Sequence, residues 1–338
     1  MAEIWEMTLT DTERDWKMDQ KLQITVSPHI RSSVTTGAIM LDVIIALCPA
    51  LVASILLFGV RALYITAICV LACVLSELAF ELITKRTPTI GDLSAIVTGM
   101  LLAFNLPVTI PEWQAIVGSI VAIVIVKQLF GGIGNNFANP AITARIVLLL
   151  SFSQSMTNWT RPGGISDGDL VSSATPLAMA AEGTGKLPSL FDLVLGKHAG
   201  CLGETCALAL LMGGIYLLIR RVITWHTPVA FIGTVFLVSF FAGGCSLEDG
   251  LYQIFSGGLM LGAIFMATDY ATSPPTAWGK LAFGVGCGLI TAAIRLWGTY
   301  PEGVSFAILL MNILTPYITK LCRRRVFGTA RRKKVQKA

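Results

Sequence analysis

The sequence predicts an all-α polytopic membrane protein with about ten transmembrane helices, arranged as two inverted five-helix repeats. Hydrophobic residues make up 54% of the 338-residue chain and charged residues only 13%, with a mean hydropathy of +0.72. A soluble domain carries roughly 25% charged residues. Apolar runs close to the roughly 20 residues that a straight spanning helix needs recur along the chain. Shorter runs fit helices that are broken and buried within the protein.

Five regions are expected along the chain. Residues 1–38 form a cytoplasmic lead-in, 39–152 the first five helices, 153–200 an extracytoplasmic loop, 201–319 the second five helices, and 320–338 a basic cytoplasmic tail. The ten predicted spans are 39–58, 62–83, 93–106, 113 to about 129, a fifth that follows Ala141 and ends near Phe152, and then 201–219, 228–241, 251–267, 281–297 and 304–318.

The distribution of basic residues predicts the orientation. From Lys320 onward there are nine Lys or Arg and no acid, and basic segments beside a span favour the cytoplasm. Because ten is even, both termini are expected on the cytoplasmic side of a bacterial inner membrane. The loop 153–200, with three basic and four acidic residues, is expected outside. Arg61 and Arg295 do not follow this preference for the cytoplasmic side. They lie near outer helix ends, where long side chains can reach the membrane interface. The tail indicates contact with anionic membrane lipid and no nucleic-acid site.

A weak sequence similarity between two segments of the chain predicts the two inverted repeats. The stretch FNLPVTIPEW, an apolar run and Lys127 resemble TSPPTAW, a similar run and Arg295, and each set leads to a Gly-containing break followed by Phe-Ala. Five spans separate the two copies, so their topologies are opposite. Inverted repeats with broken helices place their sites at the repeat interface near mid-membrane. Chance similarity between apolar segments is the alternative.

The polar loop contains a short pattern centred on Thr175. In DGDLVSSATPLA, residues 167–178, the residues Asp169, Ser172, Ser173 and Thr175 resemble the acceptor motif of flavin transferases, with Ser173 where Gly is usual. In proteins with that motif FMN is joined through its phosphate to the Thr. A following proline favours extended backbone, which is expected to keep the hydroxyl projecting. The alternative is a Ser/Thr turn before proline.

Several further motifs, in one order, resemble a known family. They are SPH at 27–29, KQLFGGIGNNFANPA at 127–141, GGLMLGAIFMATDYATSP at 257–274 and GTYPEGVSFAILLMNILTPYI at 298–318. With SSATPLA around Thr175, they resemble the family of the D subunit of the Rnf electron-transport complex and the B subunit of sodium-translocating NADH:quinone reductase. Chain length favours the Rnf branch. The resemblance implies ten helices, covalent FMN at Thr175, and a complex that couples ferredoxin and NAD redox chemistry to sodium or proton transport.

The function expected from this resemblance is electron relay between subunits of a redox-driven ion pump. No strand-flanked NAD motif and no iron–sulfur cysteine cluster is visible, so no catalytic residue is predicted in this chain. The eight cysteines include no Cys-x-x-Cys pair, and no metal site is predicted. The expected partners are other Rnf subunits, a flavin transferase during maturation, and lipid. The alternatives are a B-type quinone-reductase subunit and a cofactor-free inverted-repeat channel or transporter.

Several polar residues near the spans are further candidates. Glu204 is expected to contact flavin or to cap the sixth span. Asp269 is expected to cap a half-helix or to contact a second, non-covalent flavin such as riboflavin. For Lys127, structural pairing and contact with a phosphate or flavin stay open. Acids inside spans are costly and are treated first as functional. The acids predicted to form an ion path on this ground are Asp42, Glu77 and Glu81, and Glu81 has an interfacial position as its alternative.

Overall fold

A computed structural model gives the structure of the chain and describes residues 34–87, 89–162, 173–182, 188–204, 206–298, 300 and 302–322. Every regular element in these ranges is helical, which confirms the all-α prediction. The helices belong to the compact unit Thr36–Ala338. The motif residues Asp169 and Ser172 and most of the basic tail lie outside the described ranges.

The first five predicted spans each contain a helix. They are α1 Thr36–Phe58, α2 Val60–Thr84, α3 Ser94–Phe104, α4 Glu112–Ile120 and α5 Pro140–Ser151. A 3₁₀ turn at Ile90–Asp92 precedes α3, and α4 continues as a π-helical segment, Val121–Gln128. The Asn139 side chain accepts from the amides of Ala141 and Ile142, and Pro140 occupies the first turn, so the Gly/Asn-rich break ends in a strong helix start.

The polar loop contains three short helices. They are α6 Ser153–Met156, α7 Pro176–Glu182 and α8 Leu190–Leu195. Ser189 caps α8 by accepting from the amide of Asp192, and Gly196 ends it in the left-handed conformation.

The described part of the second half contains six further helices. They are α9 Ala207–Ile219, α10 His226–Ala242, α11 Leu247–Phe255, α12 Leu259–Leu261 with its π-helical continuation Gly262–Met266, α13 Ala277–Trp297 and α14 Val304–Leu321. The predicted eighth span, 251–267, is thus divided into α11 and α12 at Ser256–Gly258. The chain turns there because Gly257 adopts a φ of +68°, which only glycine adopts readily.

The sixth span begins later than the sequence predicts. It was expected from residue 201, but α9 starts at Ala207. The residues before it lie against the end of α3, where the amides of Leu202 and Gly203 donate to the carbonyls of Leu106 and Phe104. These bonds pair the backbone amides of the residues before α9. Those amides therefore do not need partners within a helix.

In the part of the chain that the structure describes, four helices are long and apolar enough to cross a membrane: Thr36–Phe58, Val60–Thr84, Ala277–Trp297 and Val304–Leu321. Four shorter apolar helices accompany them: Ser94–Phe104, Pro140–Ser151, Ala207–Ile219 and His226–Ala242. With the family described below, these helices show a multi-pass membrane protein. The count of ten spans stays a prediction.

The two halves pack on each other through their first and fifth helices. The first helix of one half, α1, packs on the first of the other, α9, and the fifth helices, α5 and α14, pack on each other. Within the halves, α2 packs on α4 and α10 packs on α13, again second on fourth. The core between them is apolar and contains Leu47, Phe104, Phe231 and Phe283.

The α1–α9 contact depends on Gly213. A Cβ at this position would lie 2.1 Å from the carbonyl oxygen of Ala46, so only glycine allows the two backbones to approach. We expect Gly213→Ala to destabilise the folded protein by about 1–3 kcal/mol, because the helices must separate. The measurement is thermal unfolding in detergent. The matched control is Gly233→Ala on α10, where nothing lies within 4 Å of an added Cβ. Equal melting temperatures for both variants would contradict the prediction.

Candidate functional site

The predicted acceptor, Thr175, lies at the start of α7 and is only 4% exposed. Its Oγ1 accepts from the amide of Ala178 at 3.2 Å, so the hydroxyl caps the helix. The expectation that it projects from the chain is wrong, because α7 folds back onto the membrane helices. Ser173, two residues earlier, donates its amide to the carbonyl of Trp159 at 2.9 Å.

The break between α11 and α12 lies against this part of the loop. Tyr252 Oη donates to the carbonyl of Pro176 at 3.5 Å. Leu177 Cδ1 lies 2.6 Å from the position that a Cβ on Gly257 would occupy. The glycine therefore lets the loop around Thr175 pack closely against the break between α11 and α12.

A buried ionic cluster joins the two halves. Arg145 on α5 forms an ion pair with Glu302, which precedes α14. The same guanidinium donates to Asn105 Oδ1 and to Ser305 Oγ, both at 3.0 Å, and to Cys201 Sγ at 3.5 Å. Burial and the neighbouring Glu204 carboxylate raise the pKa of Glu302 to about 7, although the two nearby arginines lower it. Sequence reasoning did not single out Glu302, and its only signal was its place in the motif GTYPEG.

Glu204 belongs to the same cluster and is 4% exposed. Its Oε2 accepts from the amide of Cys201 at 3.2 Å, while its Oε1 has no hydrogen-bond partner within the described part of the chain. Glu204 does not cap α9, because the residue at the cap position, Cys206, makes no capping bond and the carboxylate turns back towards Cys201. The capping alternative is therefore wrong.

One sulfur and two carboxylates in this cluster have metal-like spacing. Ligand atoms of Cys201, Glu204 and Glu302 all lie within 4.8 Å of one another. The Arg145 guanidinium already donates to two of the three residues. A second positive charge beside it is unfavourable, so the arrangement favours ion pairing over metal binding.

A cavity opens beside the ion pair. It has a volume of about 490 Å³ and its polar floor is formed by Arg145 and Glu302. Trp159, Tyr300 and Phe306 contribute aromatic surface to its walls. Its shape and lining suit a planar, partly polar group.

A second buried cluster contains three of the predicted site residues. Lys127 Nζ lies 2.6 Å from Glu77 Oε1, to which Gln128 also donates at 2.7 Å. Glu81 accepts from the amide of Thr89 at 3.1 Å and also from its hydroxyl, and that hydroxyl lies 3.3 Å from Glu77 Oε1. Glu77 and Glu81 are 1% and 2% exposed, and Glu81 lies three residues before the end of α2 at Thr84, so its interfacial alternative stays open.

One carboxylate oxygen of this second cluster lacks a partner. Lys127 pairs with Glu77 alone, and Glu77 Oε2 has no hydrogen-bond partner in the described ranges. A buried carboxylate oxygen without a partner is costly, which makes the cluster a candidate cation site.

The third predicted acid, Asp42, lies elsewhere. Its carboxylate accepts from Tyr216 Oη at 3.0 Å and pairs with Arg220 at 3.2 Å. The Arg220 side chain is 56% exposed. The pair links α1 to α9 at a partly exposed position, and no contact joins it to the two glutamates.

A larger cavity, of about 820 Å³, lies between the halves. Asp269 and Lys127, predicted independently, both line it, together with Asn136 and Asn139 from the Gly/Asn-rich break. Most of its wall is apolar and includes Phe265. Burial raises the pKa of Asp269, while hydrogen bonds, first that from Thr272, lower it.

Comparison with known proteins identifies relatives over nearly the full length. The model of the NQR2, RnfD, RnfE family matches residues 23–328. The chain is 48% identical to the D subunit of the Na(+)-translocating ferredoxin:NAD(+) oxidoreductase complex of Acetobacterium woodii, over 94% of this chain and 98% of the relative. It is 39% identical to the D subunit of the proton-translocating ferredoxin:NAD(+) oxidoreductase complex of Clostridium ljungdahlii, over 91% and 96% of the two chains. The D subunit of an ion-translocating oxidoreductase complex from Stutzerimonas stutzeri is also 39% identical, over 88% and 93%.

Proposed function

Because the chain belongs to the NQR2, RnfD, RnfE family, we propose that this subunit of an ion-translocating oxidoreductase complex carries covalent FMN at Thr175 and relays electrons. The observation that carries the proposal is the placement of the acceptor motif. Thr175 lies in a loop packed beside a buried ionic cluster, and a cavity adjoins that cluster. FMN would supply one-electron redox chemistry there.

The cavity beside Arg145 and Glu302 is our candidate for the ring of such a flavin. The bond between Ser173 and Trp159 ties the acceptor loop to its wall. Trp159 and Tyr300 can pack on a flat ring, and Arg145 can offset negative charge that accumulates on reduction. Glu204, with an unpartnered oxygen nearby, is the further polar residue expected to face the cofactor.

The 820 Å³ cavity is our candidate for a second, non-covalent flavin such as riboflavin. Asp269, Lys127 and the two asparagines would hydrogen-bond the ligand, and the apolar wall would cover its ring. Lys127 keeps its ion pair with Glu77 in this arrangement.

We further propose ten spans in two inverted repeats in the bacterial inner membrane, with both termini cytoplasmic. The packing of first on first and fifth on fifth helices supports this, because a two-fold pseudo-axis pairs equivalent elements. Other subunits of the complex, membrane lipid and, during maturation, a flavin transferase are the proposed partners.

Flavin fluorescence of the denatured protein tests the cofactor proposal. After separation in SDS, only a covalently attached flavin stays with the chain, and intact-mass analysis gives the added mass. A dark band of unmodified mass would favour the cofactor-free channel or transporter. A B-type quinone-reductase subunit would also fluoresce, so activity of the assembled complex with ferredoxin, compared with quinone, separates those two.

We expect Glu77→Gln and Glu81→Gln to impair ion-dependent ferredoxin:NAD activity by tenfold or more without reducing FMN content. Each removes a buried charge that can bind a cation or a proton. Asp42→Asn is the comparison and should have a smaller effect, because its partner is largely exposed. Unchanged ion dependence in all three variants would show that the path lies in a neighbouring subunit.

A further inference from the structure

A third cavity, of about 380 Å³, lies where the connection from α9 to α10 meets the first turn of α13. Two basic residues line it, Arg221 from the connection and Lys280 from α13. Five hydroxyl-bearing residues accompany them: Thr224, Thr227, Thr268, Tyr270 and Ser273. No carboxylate of the described chain lines this basic cavity.

The two cations of the basic cavity have no acidic partner. Neither Arg221 nor Lys280 forms an ion pair with a carboxylate of the described chain. Lys280 Nζ donates to Thr224 Oγ1 at 3.0 Å, which leaves two of its N–H groups for a ligand. The neighbouring acid, Asp269, lines the 820 Å³ cavity instead and accepts from Thr272 at 3.1 Å. Two positive charges that share a cavity repel each other, so an anion between them is favoured.

The cations near the candidate flavin loop are compensated by acids, unlike those of the basic cavity. Arg145 and Lys127 form ion pairs with glutamates. Arg295 donates to backbone carbonyls of α11 and the break after it, so it does not extend to the membrane interface as the sequence led us to expect. The carboxylates of Glu204 and Glu302 lie close enough to offset its charge.

The residues beside the basic cavity suit a membrane interface. Trp225, which precedes α10, is 55% exposed, and Trp278, in the first turn of α13, is 76% exposed. Tryptophan side chains are enriched where a membrane meets water. Further along the two helices, Val229 on α10 and both Val285 and Leu289 on α13 are also exposed. Polar lining at the helix starts is thus followed by apolar helix surface.

We propose that the basic cavity binds the phosphate headgroup of an anionic phospholipid. Phosphate oxygens accept charge-assisted hydrogen bonds from guanidinium and ammonium groups, here those of Arg221 and Lys280. Basic pockets between membrane helices recognise lipid headgroups in this way. The acyl chains would lie along the exposed apolar surface of α10 and α13. The site does not depend on the flavin proposal, and the proposed orientation assigns it to the cytoplasmic leaflet.

The test is native mass spectrometry of the full-length chain in a neutral detergent, titrated with phosphatidylglycerol. We expect Arg221→Gln and Lys280→Gln each to weaken lipid binding about tenfold, because a charge-assisted hydrogen bond is lost. Lys85→Gln is the matched control and should bind like wild type, since Lys85 is an exposed cation after α2 that lines none of the three cavities. The basic tail attracts anionic lipid in every variant, so differences between variants report on the cavity.

Thermal unfolding without added lipid checks that the variants fold. The Arg221 side chain is exposed, so Arg221→Gln carries the test if Lys280→Gln does not fold. Equal phosphatidylglycerol affinity in all folded variants and wild type overturns the proposal. Inorganic phosphate that binds as tightly as the lipid, and is lost in the same two variants, would show a site for a soluble anion and overturn the lipid as occupant. Release of the lipid on assembly of the complex would show that a protein subunit covers the site, which also overturns it.

Discussion

Thr175→Ala is expected to remove the covalent flavin completely while the chain still assembles into the membrane. The substitution deletes the oxygen through which the phosphate would be bonded. Its structural cost is the capping bond to Ala178, worth about 1 kcal/mol in a short helix outside the long apolar helices. Fluorescence of the SDS-resolved band and intact mass give the flavin content, and membrane fractionation gives the assembly.

Ser189→Ala is the control for this experiment. Ser189 caps α8 in the same loop by accepting from the amide of Asp192, so the variant loses a comparable capping bond outside the acceptor motif. We expect wild-type flavin content. A Thr175→Ala chain that still fluoresces after denaturation would mean that another residue is the acceptor.

Arg145→Met is expected to lower the free energy of unfolding by about 3–5 kcal/mol, because it breaks a buried ion pair and leaves Glu302 without its partner. Asn105 and Ser305 lose a donor in the same change. Arg220→Met is the control, since its pair with Asp42 is largely exposed and is worth about 1 kcal/mol or less. Thermal unfolding in detergent compares the two, and equal losses would contradict a central role for the buried pair.

The unfolding free energy lost in Arg145→Met should depend on pH. In the wild type the pKa of Glu302 is raised above its ordinary 4.5, so its contribution to stability is fully present below 4.5 and is lost as pH rises through about 7. Without Arg145 the pKa of Glu302 rises further, since a charge that lowered it is gone. Protonation of Glu302 then removes its unpaired charge. The loss of unfolding free energy in Arg145→Met should therefore be smaller at pH 6 than at pH 9. A penalty that grows towards acid pH would contradict this.

The sequence alone determined the class of protein, the apolar helical segments and the candidate acceptor loop. Hydropathy works here because every backbone group in lipid must be paired internally, which makes each long apolar run a helix. The motifs around Thr175 and Asn139 are continuous in the chain, so their residue types and spacing are readable without contacts. Family membership followed from the same continuous motifs.

Only the tertiary structure decided which polar groups meet. Arg145 and Glu302, and Asp42 and Arg220, are distant in sequence, and a hydropathy pattern carries no record of which helix faces which. The burial of Thr175 follows from packing of the loop against Gly257, a contact set by helices that come later in the chain. Charge compensation depends on distances in space, which is why the cluster of Arg145, Glu204 and Glu302 could be found only in the folded protein.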